Sequence, residues 1–210
     1  MTELILARHG ETAWNVAEVF RGQSDVDLNE VGLKQAELLA DYLSGRKIEA
    51  VYSSPLQRAL KTARAIALRQ GLEAVVSPGL NDLKFGEWEG MPVTEVKKKY
   101  PILFAEWEQT PHLVKIPGGE SLDNVAKRAT ALVKEVTARH KDTVVFVAHR
   151  VVTKVLILAL LGLDNSHFWR VKHDTAAITT FTLEKTGWCL VEHNNTSYLK
   201  PLEKPALKDF

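Results

Sequence analysis

Residues 3–10 read ELILARHG, a nearly all-apolar run that stops on arginine, histidine and glycine. Such a run, with no polar alternation, fits a strand covered on both faces, as in a parallel sheet. Outward from it, residues 30–44 place Val31, Leu33, Ala36, Leu39 and Leu43 on the apolar face of a helix that Asn29 caps and Gly45 stops. Residues 48–52 read as a second strand, about 55–69 as a helix opened by Pro55, and 72–76 as a third strand. After Asn81 the pattern breaks into aromatic and glycine-rich sequence, DLKFGEWEGMPV. Short helical pieces follow, then a loop, TPHLVKIPGGES, expected to lie over one edge of the sheet. Regularity returns with an amphipathic helix at about 121–140, a strand at 144–148 and a helix at about 151–161. Residues 175–183 and 188–192 read as late strands paired around Thr186 and Gly187. Alternating strands and helices predict an α/β fold with helices on both faces of the sheet. Its ligand site belongs beyond the carboxyl ends of the strands.

The chain has 210 residues, 45% hydrophobic and 25% charged, enough for one sizeable core. Its 27 Lys and Arg residues nearly balance 26 Asp and Glu, interspersed apart from the lysines at 97–99, so no face is built to neutralise nucleic acid. Cys189 is the only cysteine, which excludes an internal disulfide and a thiolate metal cluster and suits a reducing compartment. The first residues show no basic segment followed by an apolar core, so no signal segment is expected. The most apolar stretch, VVTKVLILALLGL, is too short to span a bilayer and contains Lys154, so a cytoplasmic protein without a membrane partner is expected. Apolar late-strand and tail surface leaves a homodimer open, and residues 200–210 are expected to be loosely held.

Arg8 and His9 follow the first strand. Ser53 and Ser54 end the second and lead to Arg58 one helical turn on, while VVFVAH ends on His149. Singly, each has an ordinary structural reading as a solvated charge or a hydrogen-bonding histidine. Together, three strand ends bring two arginines and two histidines toward one rim, which fits phosphoryl transfer. Guanidinium forks grip phosphate oxygens, and a neutral imidazole attacks phosphorus without a metal. Gly10, lacking a β-carbon, would let the backbone approach the phosphate. Zinc is the rival reading of two histidines, but neighbouring arginines repel a cation and no carboxylate sits at ligand spacing. No metal or other cofactor is therefore expected.

These motifs resemble the histidine phosphatase superfamily, which includes the cofactor-dependent phosphoglycerate mutases. The resemblance rests on ARHGETAWN, FRGQSDVDLNEVGLKQA, VYSSPLQRALKTA, LNDLKFGEWEG, PGGES followed by Arg128, and VVFVAH, and spans residues 4 to about 195. It implies a three-layer α/β sandwich with a mostly parallel central sheet and a single domain over 1–210, with a cap insertion at about 83–120. It also implies a phosphohistidine mechanism, with His9 as the nucleophile and Arg8, Arg58 and His149 as the phosphate pocket. Asn15, Arg21 and Gln23 fall at positions expected to assist substrate binding, as does Gly10.

Two departures from the family pattern stand out. The family's general acid is usually a glutamate, but the matching residue here is Asp82, one methylene shorter. Glu87 and Glu89 are loop carboxylates or reserve acids. After His149 the family commonly has a small residue; Arg150 either adds a cation to the pocket or faces solvent. Mutases of the family carry further cations for a second phosphate, whereas this chain has Leu83, Phe85 and Glu108-Gln109 in the corresponding places. Hydrolysis is the implied outcome.

The stretch FAEWEQTPHLVKIPGGESL, with Pro111 and His112, and FWRVKHDTAAI resemble phosphoserine phosphatases of this superfamily. Glu106 or Glu108 would meet the substrate amine and Lys115 or Arg150 its carboxylate, unless these are surface charges. The expected partner is thus a small phosphomonoester. Phosphoglycerate mutase or α-ribazole phosphatase activity is the alternative, and a phosphate-binding regulatory protein is the alternative from another class.

Overall fold

In a computed structural model, which describes residues 2–202, the ELILAR run forms strand β1 (Glu3–Arg8) at the centre of a six-stranded sheet. Strands β2 (Ile48–Ser53), β3 (Ala74–Val76) and β4 (Thr143–Ala148) run parallel to it. Strand β5 (Ile178–Glu184) lies antiparallel to β1 and pairs with β6 (Gly187–Asn195). The order across the sheet is β3-β2-β4-β1-β5-β6.

The lack of polar alternation in β1 and β4 has a direct cause, since both faces of these strands are covered. Ile5, Ala7, Val51, Val145 and Val147 pack on one side against helices α2 (Glu30–Leu43) and α3 (Gln57–Arg69). Leu4, Leu6, Tyr52, Val144 and Phe146 face the other side and a larger core with α6 (Leu122–Arg139) and α7 (Arg150–Leu160). The fold is therefore a helix–sheet–helix sandwich with a mostly parallel sheet. Of the shorter helices, α1 (Ala13–Val16) follows β1, and α4 (Val93–Lys99) and α5 (Pro101–Gln109) lie between β3 and α6.

Several boundaries differ from the sequence reading for identifiable reasons. Helix α3 starts at Gln57 rather than Pro55. Leu56 keeps an extended backbone, its N–H bonded to Ser54 Oγ at 3.3 Å, and Asp25 caps the Gln57 N–H from a distant loop at 2.7 Å. Glu184 pairs with Gly187, so the β5–β6 turn consists of Lys185 and Thr186. Residues 173–177 are not strand; they form a loop that turns back toward the end of β1. The segment expected over a sheet edge covers a face instead. Val114 and Ile116 join the larger core with Phe85, Phe104 and Trp107. Phe20 meets Phe85 at 4.9 Å and Trp88 at 5.1 Å, and Trp107 meets Phe168 at 5.7 Å. Rings of this size each remove about 150–250 Å² from water, so this aromatic cluster fastens the segment to the sandwich. Residues 200–202 belong to a closing 3-10 turn, and 203–210 lie outside the described residues.

The topology fixes where a ligand can sit. The chain leaving β1 reaches α2 on one face, whereas the chain leaving neighbouring β4 enters α7 on the other. A crevice opens at that switch point, beyond the carboxyl ends of both strands. Among the described residues no helix is long and apolar enough to cross a membrane.

Candidate active site

His9 and His149 stand at this switch point, their ring centroids 5.2 Å apart. Both side chains are buried, as are Arg8, Arg21, Arg58, Asp82 and Arg150. The His9 N–H donates to the Ala148 carbonyl at 3.0 Å, so the residue after β1 is held by the end of β4. His9 Nδ1 lies 2.6 Å from the Gly10 carbonyl. A carbonyl only accepts, so Nδ1 carries the proton and Nε2 keeps its lone pair. Burial, followed by the charges of Arg58, Arg8 and Arg21, holds the His9 pKa well below its ordinary 6.5. The imidazole is neutral at pH 7 and its unprotonated atom is Nε2.

Gly10 makes a close contact with another glycine. A β-carbon there would lie 2.4 Å from the Gly32 carbonyl oxygen, and one on Gly32 would lie 2.0 Å from the Glu11 carbonyl. The two glycines let the β1 exit loop press backbone to backbone against the start of α2. The Gly10 N–H is taken by Thr62 Oγ1 at 3.2 Å.

Arg58 organises the second layer. Its Nε–H donates to His149 Nδ1 at 3.2 Å, and its terminal nitrogens reach the Ser24 carbonyl at 2.8 Å, the Gly22 carbonyl at 2.7 Å and Asp82 Oδ2 at 3.1 Å. Because Nδ1 of His149 accepts, Nε2 holds the proton and donates to Ser54 Oγ at 2.7 Å. Burial, then Arg58, His9 and Arg21, keeps His149 neutral as well.

Both imidazoles thus have folded pKa values below their unfolded ones, and the unfolded chain binds more protons as pH falls. Their contribution is fully present above about pH 6.5 and is lost as pH drops toward the folded values. Thermal midpoints measured from pH 8 downward should therefore fall through the acid range, and a midpoint that rose on acidification would contradict the assignment of neutral buried rings.

Asp82 is held from three directions. Its Oδ2 faces Arg58 and lies 3.6 Å from His149 Nδ1, and its Oδ1 accepts the Leu83 N–H at 2.9 Å. Its own carbonyl receives Gln23 Nε2 and Arg128, both at 3.1 Å. Arg128, in turn, is gripped by both oxygens of Glu120 at 2.9 and 3.0 Å. Gln23 and Arg128 therefore position the Asp82 loop. Arg21 lies in the same field: burial and the charges of Arg8 and Arg150 depress its pKa, opposed by Asp82. Arg150 is buried rather than solvent-facing, its guanidinium carbon 5.8 Å from the centre of the Trp169 ring.

Other expected residues are placed elsewhere or used differently. Asn15 Oδ1 accepts from the Thr12 N–H and hydroxyl at 2.9 and 2.8 Å, completing a capping box on α1. Glu89 Oε1 accepts the Gln23 and Phe85 N–H groups, while exposed Glu87 meets the Tyr100 hydroxyl. Glu106 and Lys115 are exposed, and exposed Glu108 pairs with Lys97 at 3.2 Å. The structure adds Ser54, Thr62 and the His173 carbonyl, which accepts Arg8 at 2.6 Å. A serine past a strand end or a threonine inside a helix is too common to signal these roles, and a carbonyl leaves no mark in sequence.

The sequence pattern of the histidine phosphatase superfamily (branch 1) matches residues 4–196. The chain belongs to this superfamily. It is 40% identical over 200 residues to phosphoserine phosphatase 1 of Hydrogenobacter thermophilus, covering 95% of each chain. It is 33% identical over 203 residues to the metal-independent phosphoserine phosphatase of Arabidopsis thaliana, covering 95% of this chain and 84% of that protein. A solved phosphoserine phosphatase from Entamoeba histolytica, in complex with 3-phosphoglyceric acid, superposes with a TM-score of 0.85. The two share 31% identity, covering 95% of this chain and all of that one.

Proposed function

We propose that this protein is a phosphomonoesterase that hydrolyses small phosphorylated acids, phosphoserine foremost, through a phosphohistidine on His9. The observation that carries this reading is the bond from His9 Nδ1–H to the Gly10 carbonyl, which leaves a neutral Nε2 among the guanidinium groups of Arg8, Arg21 and Arg58. The Nε2 lone pair attacks phosphorus and the ester P–O bond breaks, while Asp82, its carboxylate having taken the proton of the phosphate monoanion as substrate binds, protonates the departing oxygen to give the alcohol. Water then attacks the phosphohistidine and gives its proton to the Asp82 carboxylate. The P–N bond breaks and inorganic phosphate leaves. Arg8 and Arg58 balance the equatorial charge in both steps, and His149, engaged by Arg58 and Ser54, keeps Arg58 in place.

Hydrolysis is favoured over a mutase reaction because no second cationic clamp lies where the mutase pattern requires one. Leu83 and Phe85 are buried in the aromatic core, and Glu108 is occupied by Lys97 on the surface. The 83–120 segment serves as a cap within a single domain. Buried Arg150 is the residue best placed to meet a substrate carboxylate, whereas exposed Glu106, Glu108 and Lys115 are ordinary surface charges. The names of the Hydrogenobacter and Arabidopsis relatives support phosphoserine as substrate.

A screen of phosphoserine, 3-phosphoglycerate, fructose phosphates, α-ribazole phosphate and p-nitrophenyl phosphate in EDTA tests the reading. Phosphoserine should have the highest kcat/KM among the metabolites. Release of phosphate from none of them would identify a binding protein instead. Asp82→Asn should lower kcat on phosphoserine about 10²–10⁴-fold but cost p-nitrophenyl phosphate far less, since its phenolate needs little protonation. Equal losses on both would remove Asp82 from the acid role.

A further inference from the structure

Tyr198 lies in the 3-10 turn Ser197–Leu202 that follows β6, remote in sequence from every residue assigned to the chemistry. Its ring stacks on Tyr42 of α2 at 4.7 Å, and its hydroxyl donates to the Ala176 carbonyl. Ala176 has φ +55°, a left-handed conformation that a residue with a β-carbon seldom adopts. Such a conformation persists where surrounding contacts hold it, and its neighbours here are the backbones of the residues assigned to the chemistry. The Ala176 N–H donates to the His9 carbonyl at 3.1 Å, and the adjacent Ala177 carbonyl accepts the Arg8 N–H at 3.0 Å. Three residues before Ala176, the His173 carbonyl receives the Arg8 guanidinium at 2.6 Å. The short loop 173–177 thus touches the backbone of both residues and the fork of Arg8.

A second clamp comes from the same part of the chain. Asn194 accepts the Asp174 N–H at 2.8 Å and donates to Asp174 Oδ2 at 2.9 Å. The end of β6 and the turn after it therefore grip the loop at two points, with Tyr198 acting on the strained residue itself. Burial pushes the Tyr198 phenol pKa up, so it remains a hydrogen-bond donor at ordinary working pH.

We propose that Tyr198 is a positioning residue for phosphoryl transfer, holding Ala176 in its left-handed conformation so that Arg8 and His9 keep their mutual geometry. The proposal rests on His9 being the nucleophile. Tyr198 touches no reacting atom, so its loss should slow chemistry without changing which substrates bind.

Tyr198→Phe keeps the ring stack and removes only the donor, whereas Ala176→Gly removes the cost of the left-handed backbone. Rapid-quench measurement of phosphoenzyme formation, with steady-state kinetics on phosphoserine and p-nitrophenyl phosphate, should be made well below each variant's thermal midpoint. Tyr198→Phe should slow phosphoenzyme formation about tenfold on both substrates, with KM unchanged within about twofold. Ala176→Gly alone should stay near wild type, and the double variant should recover most of the loss, since a glycine turn needs less support. Wild-type phosphorylation rates in Tyr198→Phe, or no recovery in a well-folded double variant, would overturn the proposal. Failure of the unmodified protein to form any phosphohistidine would overturn the nucleophile reading itself, a result distinct from either of these.

Discussion

His9→Ala should lower hydrolysis of every phosphomonoester by about four orders of magnitude or more, with the fold intact. The size of the effect follows from the lack of a substitute. His149 is the imidazole facing His9, and its nitrogens are engaged by Arg58 and Ser54. Asp82 is tied to Arg58 and to the Leu83 N–H, and a carboxylate there would have to leave both to act as a nucleophile. Water attacking directly would still gain from the guanidinium groups, which sets the residual rate. The loss should appear on p-nitrophenyl phosphate as strongly as on phosphoserine, because the nucleophile is needed whatever leaves. Activity above about a tenth of wild type would place the nucleophile elsewhere.

Arg58→Met should be the most damaging change for stability and activity together. Arg58 is fully buried and bonds the Gly22 and Ser24 carbonyls, Asp82 and His149. Removing it leaves the Asp82 carboxylate buried without its cation. Breaking a buried pair from one side costs about 3–5 kcal/mol. Activity should fall at least about 10³-fold, since the phosphate loses one fork and His149 loses the donor that orients it. Arg58→Lys restores the charge but not a planar fork able to reach His149, Asp82 and two carbonyls together. It should regain part of the stability and little of the rate. Urea unfolding and kcat/KM on p-nitrophenyl phosphate report the two quantities. An Arg58→Lys enzyme with near wild-type turnover would show that only the charge matters.

The sandwich was legible because its strands announce themselves. Runs such as ELILA and VVFVA have no polar alternation because both faces are covered, by Leu39 and Ala63 on one side and Val133 and Val155 on the other. Arg8, His9, Arg58 and His149 were legible as a group because each falls just beyond a strand end or one turn later, and the parallel sheet brings those ends together. What stayed hidden depends on contacts distant in sequence. Asp25 caps α3 from 32 residues away, which nothing beside Pro55 reveals. The 110–121 loop covers a face because Val114 and Ile116 meet rings contributed by other segments, and no local periodicity records this. Gly10 was readable as a close-approach position, but its partner, Gly32, is known only from the fold. Asn15 fits its family position while its side-chain Oδ1 accepts the N–H and hydroxyl of Thr12, the N-cap of α1, so a motif match located the residue without describing its bonds.

The most direct test is chemical. The protein should be quenched in alkali during turnover of labelled phosphomonoester and digested, and the label located by mass spectrometry. The account requires an alkali-stable, acid-labile phosphoryl group on Nε2 of His9, formed at least as fast as turnover. A phosphoryl group on serine, aspartate or another histidine, or no adduct in a sample that is hydrolysing substrate, would contradict it.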